Sequence, residues 1–155
     1  MGGCKKVEVS AKDSLMIDVE KLKNIFEDYP YIVSAYLFGS QASGKIGPMS
    51  DVDIAILLKE DAPKGRELIH EEDYLAYKIA RALGVKEVDL IDLNSQGLIF
   101  KHNILRTGKL IYDADPRFRI SFEMRVITEF CDFEPTLRFI EKYHLKGRLR
   151  RCASL

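Results

Sequence analysis

Gly39-Ser40 is followed, ten residues later, by Asp51-Val52-Asp53, and another aspartate, Asp89, opens the apolar stretch Val88-Asp89-Leu90. Small residues at the end of an apolar run bring backbone N–H groups to an edge that an anion can approach closely. A helix starting there would add the positive end of its dipole. Asp51 and Asp53 stand two apart at the head of a second apolar run, so in a strand both side chains leave by one face. Charges in that position are costly unless something compensates them. A divalent cation does so, because paired carboxylate oxygens suit Mg2+, whose remaining positions go to water and substrate phosphates. A two-metal site requires a third carboxylate, and Asp89 is the candidate because it too begins an apolar strand. Asp92 is the alternative, although strand alternation sends it to the opposite face from Asp89.

Other patterns in the chain are incomplete. Gly39-x-x-x-x-Gly44-Lys45 matches most of a phosphate-binding P-loop, but Ile46 stands where the Mg2+-ligating Ser or Thr belongs. Gly47-Pro48 also interrupts the helix such a loop must open. His70-Glu71-Glu72 begins a zinc-protease pattern that Tyr74 leaves unfinished. His102 and His144 stand alone in the sequence, and the basic tail (Lys142, Lys146, Arg148, Arg150, Arg151) reads as a solvated terminus. Met1-Gly2 lacks the Ser or Thr at position 6 that acylation wants, and Cys152-Ala153-Ser154-Leu155 fits a prenylation box poorly at Ser154. Cys4, Cys131 and Cys152 show no metal-binding spacing and suit a reducing, cytoplasmic setting.

The elements that must hold the aspartates follow from periodicity. Leu15, Ile17, Val19, Leu22, Ile25 and Phe26 give helical spacing over 13–28, closed by Pro30. Residues 31–38 form a β-branched and aromatic strand, 51–58 a second, 88–93 a third and 108–112 a short fourth. Leu68, Leu75, Ile79 and Leu83 line one stripe of a helix over 65–83 with Gly84 as its C-cap. Asn94 or Ser95 opens a helix to about Thr107, and Pro116 begins a long helical region kinked or split near Pro135. The aromatics of that tail, Phe118, Phe122, Phe130, Phe133, Phe139 and Tyr143, are expected to pack on the sheet, with part of the face left for a partner chain. The alternation predicts an α/β (α+β) fold, a small mixed sheet of about four strands flanked by helices.

A chain of 155 residues with 46% apolar and 31% charged residues fits a single domain over 1–155. Its core spans about 13–115 and a C-terminal helical region about 116–148. Lys and Arg total 24 and Asp and Glu also 24, so nothing in the bulk charge suggests dedicated nucleic-acid binding. No apolar run approaches the roughly 20 residues that span a bilayer, and no apolar leader follows the first residues.

The arrangement Gly39-Ser40, ten residues, Asp51-x-Asp53, flanked by Leu37-Phe38 and Ser50, resembles the signature of the DNA polymerase β-like nucleotidyltransferases. Residues 88–93, Arg106-Thr-Gly-Lys-Leu-Ile-Tyr112 and Asp132-Phe-Glu-Pro135 resemble its minimal group, the MntA-type antitoxins, so the likeness runs from about 13 to 146. The resemblance implies that Gly39 and Ser40 hold the nucleotide's phosphates, that Asp51 and Asp53 ligate the metals, and that Asp89 completes the site nearer the acceptor. Many relatives carry Arg where this chain has Ser43, so that phosphate contact is either lost or taken by Lys45. Two Mg2+ ions, or Mn2+, about 3.5–4 Å apart would clamp the attacking and leaving oxygens of in-line displacement at the α-phosphorus. The donor implied is ATP, the group moved AMP, and the acceptor a tyrosine of a HEPN-domain ribonuclease toxin, silenced within a toxin–antitoxin pair. Assembly with that toxin or with further copies of the chain is implied as well. The alternatives are transfer to a small hydroxylated molecule, as in aminoglycoside nucleotidyltransferases, and a non-catalytic nucleotide-binding module.

Overall fold

The computed structural model describes residues 18–39 and 51–152, the stretch 145–152 as helix backbone. Ser40, Lys45 and the start of the helix expected from Asp13 lie outside the described residues. Helix α1 spans Val19–Glu27, and the Asp18 carboxylate caps it by accepting from the Lys21 backbone N–H at 3.3 Å. Strands β1 (Ile32–Phe38) and β2 (Val52–Leu58) follow. Helix α2 (Arg66–Leu83) then ends on Gly84, whose left-handed φ of 68° makes it the expected C-cap. Strand β3 is Val88–Asp92, α3 is Leu98–Thr107, β4 is Lys109–Asp113 and α4 is Pro116–Cys152.

The four strands form one mixed sheet in the order β3-β2-β1-β4. β1 runs antiparallel to β2 and β4, while the crossover through α2 makes β2 and β3 parallel. One face packs on α1 and α2, where Leu22, Phe26, Leu75 and Ile79 meet Ile32, Ala35, Leu37, Val52, Ile54 and Ile56. The other packs on α3 and α4, where Ile104, Phe122 and Val126 meet Val33, Tyr36, Ala55 and Leu57. The central strands are apolar on both faces because both are covered, which is why they read as unbroken apolar runs.

Two expectations need correction. Asn94 does not open the helix. Its amide accepts from Leu58 N–H at 3.1 Å and donates to Leu58 C=O at 2.9 Å, so it extends the end of β2 as a further strand residue would. It lies in the short 3-10 turn Leu93–Ser95, and α3 begins after Gly97. Pro135 does not split α4, which continues through it. The bond lost at a mid-helix proline costs about 3 kcal/mol. Here the preceding turns are pinned to the sheet, and Arg138 donates to Glu134 at 2.7 Å across the proline turn. The pinning is polar as well as apolar. The Tyr36 hydroxyl donates to Glu123 at 2.7 Å, and Arg119 binds both Glu123 and Asp113 at 3.0 Å.

Of the tail aromatics, Phe118 and Phe122 pack on the sheet as expected. Beyond Val126 the helix meets α3 instead, with the Phe130 ring stacked on His102 at 3.6 Å and 4°. Phe139 and Tyr143 are 61% and 58% exposed and touch each other, so they lie outside the core.

Candidate active site

Where β1 ends and β2 and β3 begin, the fold brings four of the sequence-predicted residues, Gly39, Asp51, Asp53 and Asp89, to one end of the sheet. Asp53 pairs with Phe38 on one side and with Asp89 on the other. It leaves β2 on the face shared by Ala55 and Leu57, and Asp89 leaves β3 on the face shared by Leu93, which is the α3–α4 side. Gly39 follows Phe38 with φ +71°, and a Cβ placed on it would collide with the Asp53 carboxylate. The strand therefore ends in glycine for two reasons, a backbone turn that side chains resist and a carboxylate lying against its α-carbon. Asp51 precedes β2 and is exposed.

The electrostatics agree with this placement. Burial first, then the charges of Asp89 and Asp51, push the Asp53 carboxyl above its ordinary value of 3.8. Among the described residues Asp53 thus feels both other carboxylates and no compensating cation. Among the described residues no three His, Cys, Asp or Glu side chains converge closely enough to hold a metal ion as they stand. In donor chemistry and charge, though not in spacing, the all-oxygen set suits a hard divalent cation.

Asp92, the alternative to Asp89, lies on the other face. Its carboxylate accepts from the Asn94 backbone N–H at 2.8 Å. It also adds to the charge around Glu72 of α2, whose carboxyl is pushed up to about 7, first by burial, then by Asp92 and Asp73. One Glu72 oxygen is buried with no hydrogen-bond partner among the described residues. The folded state therefore holds the Glu72 proton more tightly than the unfolded chain does, and ionisation costs stability as pH rises from about 4.5 to about 7. Glu72→Gln is expected to stabilise the protein at pH 8 by roughly 1 kcal/mol after screening, or about 2–4 °C in Tm, and to change nothing at pH 4. Thermal melts at the two pH values check this; equal shifts at both would contradict it.

One feature of this face was not legible as a site. A groove of about 870 Å³ runs between α3 and α4, lined by Phe100, His102, Asn103, Arg106, Phe130 and Phe133 among others. His102, solitary in the sequence, is half of a stacked pair within it.

The sequence pattern described as Polymerase beta, Nucleotidyltransferase matches residues 20–117, which includes all of this edge. The protein adenylyltransferase MntA of Aphanizomenon flos-aquae is 32% identical over 124 residues, covering 74% of this chain and 81% of that one. The chain belongs to the MntA group of polymerase β-type nucleotidyltransferases. A second member, the protein adenylyltransferase MntA of Shewanella oneidensis, is 32% identical over 91 residues, covering 59% of this nucleotidyltransferase and 61% of the relative. A crystal structure of a toxin–antitoxin with AMP-PNP contains a chain superposing with a TM-score of 0.67 at 26% identity, covering 83% of this nucleotidyltransferase and 98% of that chain. The mixed four-stranded sheet with flanking helices is thus the polymerase β-like nucleotidyltransferase fold. Among the described residues no helix is long and apolar enough to cross a membrane.

Proposed function

We propose that the chain is a metal-dependent protein adenylyltransferase that moves AMP from ATP to a tyrosine of a HEPN-domain ribonuclease toxin, and so acts as that toxin's cytoplasmic antitoxin. One observation carries the catalytic part: Asp53 lies between Gly39 and Asp89 at a single sheet edge, its carboxyl raised first by burial and then by the charges of Asp89 and Asp51. The choice of a protein acceptor draws on the two relatives named protein adenylyltransferase MntA, and the choice of a toxin on the similar chain from a toxin–antitoxin with AMP-PNP.

In this reading Gly39, with Ser40 and Lys45 beside it in sequence, binds the triphosphate. Asp51, Asp53 and Asp89 would hold two Mg2+ ions, or Mn2+, whose charge stabilises the attacking and leaving oxygens. Asp89, on the acceptor side, takes the proton of the attacking hydroxyl. A bond forms between that oxygen and the α-phosphorus, the bond to the bridging oxygen breaks, and pyrophosphate leaves. Asp53 fixes the distance between the two sides, because it is paired with Phe38 on one strand and Asp89 on the other.

The test is mass spectrometry of this protein and of any co-purifying or genetically adjacent HEPN protein after incubation with ATP and Mg2+. The expected result is a gain of one or more AMP units on the partner, abolished by Asp51→Asn. No gain on any protein, with AMP-PNP still bound, would replace this reading with a small-molecule acceptor or a non-catalytic role.

A further inference from the structure

Helix α2 sets Leu75 and Ile79 into the core, and its outward face carries a second pattern. Glu67, His70, Tyr74, Tyr77 and Arg81 follow one another at spacings of three, four, three and four. That alternation is the seam by which one helix pairs with another. All five residues are exposed, Tyr74 by 58% and Tyr77 by 56%. Two tyrosines at the middle of a seam supply the amphipathic ring surface in which interfaces are enriched.

The stripe is also its own complement. Glu67 and Arg81 stand seven residues to either side of Tyr74. Two such helices laid antiparallel about Tyr74 bring each copy's Glu67 to the other's Arg81, at both ends of the seam. Tyr74 then meets its counterpart, and His70 meets the other copy's Tyr77. A two-fold axis perpendicular to the helices produces this arrangement, in which both copies use the same patch. Contacts within the chain set the seam in advance. Arg81 donates to the Tyr77 hydroxyl at 3.3 Å and lies over that ring, 6.0 Å from its centroid. A guanidinium held there has further N–H groups to give a carboxylate. Lys78 binds Asp28 at 3.2 Å and lies 5.8 Å from the centroid of the Tyr74 ring, which steadies it from the α1 side.

We infer that this face of α2 binds a second copy of the chain, as an antiparallel helix pair centred on Tyr74. Acid at the start, base at the end and tyrosines between are complementary to their own inverse. Another partner would have to mirror that order, whereas a second copy already supplies it. The inference does not depend on the proposed function. Asp53 and Asp89 leave the sheet on the α3–α4 side, so the pair keeps that face open to a partner protein. One helix pair is smaller than a standard interface, so the dimer is expected to be weak and concentration-dependent.

Sedimentation velocity of the purified full chain over a range of concentrations, at low and high salt, tests this. The wild type should pass from monomer to dimer as concentration rises, and less readily in high salt. Glu67→Arg and Arg81→Glu each set like charges together at both ends of the seam, and each should weaken the dimer more than about ten-fold. The double variant Glu67→Arg/Arg81→Glu restores opposite charges and should dimerise again. An equal mixture of the two single variants should also recover, as heterodimers, because each supplies the charge the other lacks. These two recoveries separate a lost contact from a damaged helix. A wild type monomeric at every concentration would overturn the inference. A dimer indifferent to both reversals would overturn it too and assign self-association to another face. So would reversals that weaken the dimer without recovery in the double variant or the mixture, since Glu67 and Arg81 would then not face each other.

Discussion

Asp53→Asn is expected to lose about a thousand-fold of AMP transfer, and yet to melt at a higher temperature than the wild type in EDTA. Both halves have one origin. Asp53 lies between Gly39 and Asp89, partly buried, and the charges of Asp89 and Asp51 reinforce burial in raising its carboxyl. A carboxyl whose folded-state pKa is raised binds its proton more tightly in the native state, so stability is greatest below the ordinary value and declines as pH rises through the raised one. At neutral pH the ionised group works against the fold, and the neutral amide of asparagine removes that repulsion. The same charge is what would bind metal. Mg2+ or Mn2+ should therefore raise the wild-type Tm and leave that of Asp53→Asn nearly unmoved, and the wild-type gain should shrink as pH falls, because protons compete for the same oxygens. Melting curves with EDTA, Mg2+ and Mn2+ at pH 5.5 and 7.5 decide it. A wild-type Tm indifferent to both metals, or a variant less stable than the wild type in EDTA, would remove the metal-site reading.

The meeting of Gly39, Asp53 and Asp89 at one end of the sheet was legible in the sequence because its logic is local. Two aspartates two apart at the head of a strand must share a face, and a glycine ending the preceding strand is a short-range signal. The separation of Asp89 from Asp92 followed from alternation alone, and the structure places Asp89 beside Asp53 and Asp92 on the α2 side. What stayed hidden depends on contacts between distant segments. Asn94 reads as a helix cap until Leu58, 36 residues earlier, claims both ends of its amide. Pro135 reads as a break until the packing of the turns before it shows that one lost bond is tolerated. The groove required α4 to cross α3 so that Phe130 met His102, and neither residue's own spacing announces the other.

Gly39→Ala should be both destabilised and inactive, and the molecule contains its own control. Gly39 and Gly84 adopt nearly the same left-handed backbone, with φ of 71° and 68°, so a Cβ meets the same intrinsic resistance at both, about 1 kcal/mol. Their surroundings differ. Among the described residues a Cβ at Gly84 has nothing within 4 Å, whereas one at Gly39 would strike the Asp53 carboxylate. Gly84→Ala is therefore expected to cost only the backbone term and to transfer AMP at the wild-type rate. Gly39→Ala adds an overpacking cost of about 2 kcal/mol and turns the Asp53 carboxylate away, reducing transfer about a hundred-fold or more. The two contributions separate in a double-mutant cycle. In an Asp53→Ala background the carboxylate is absent, so Gly39→Ala should cost no more than Gly84→Ala does, which denaturant unfolding of the four proteins of the cycle and of Gly84→Ala would measure. An equal penalty for Gly39→Ala with and without the Asp53 carboxylate would mean that the glycine answers only to the turn. Gly39 would then bear on the chemistry solely through the backbone it presents to the phosphates, and Asp53 would owe its position to β2 alone.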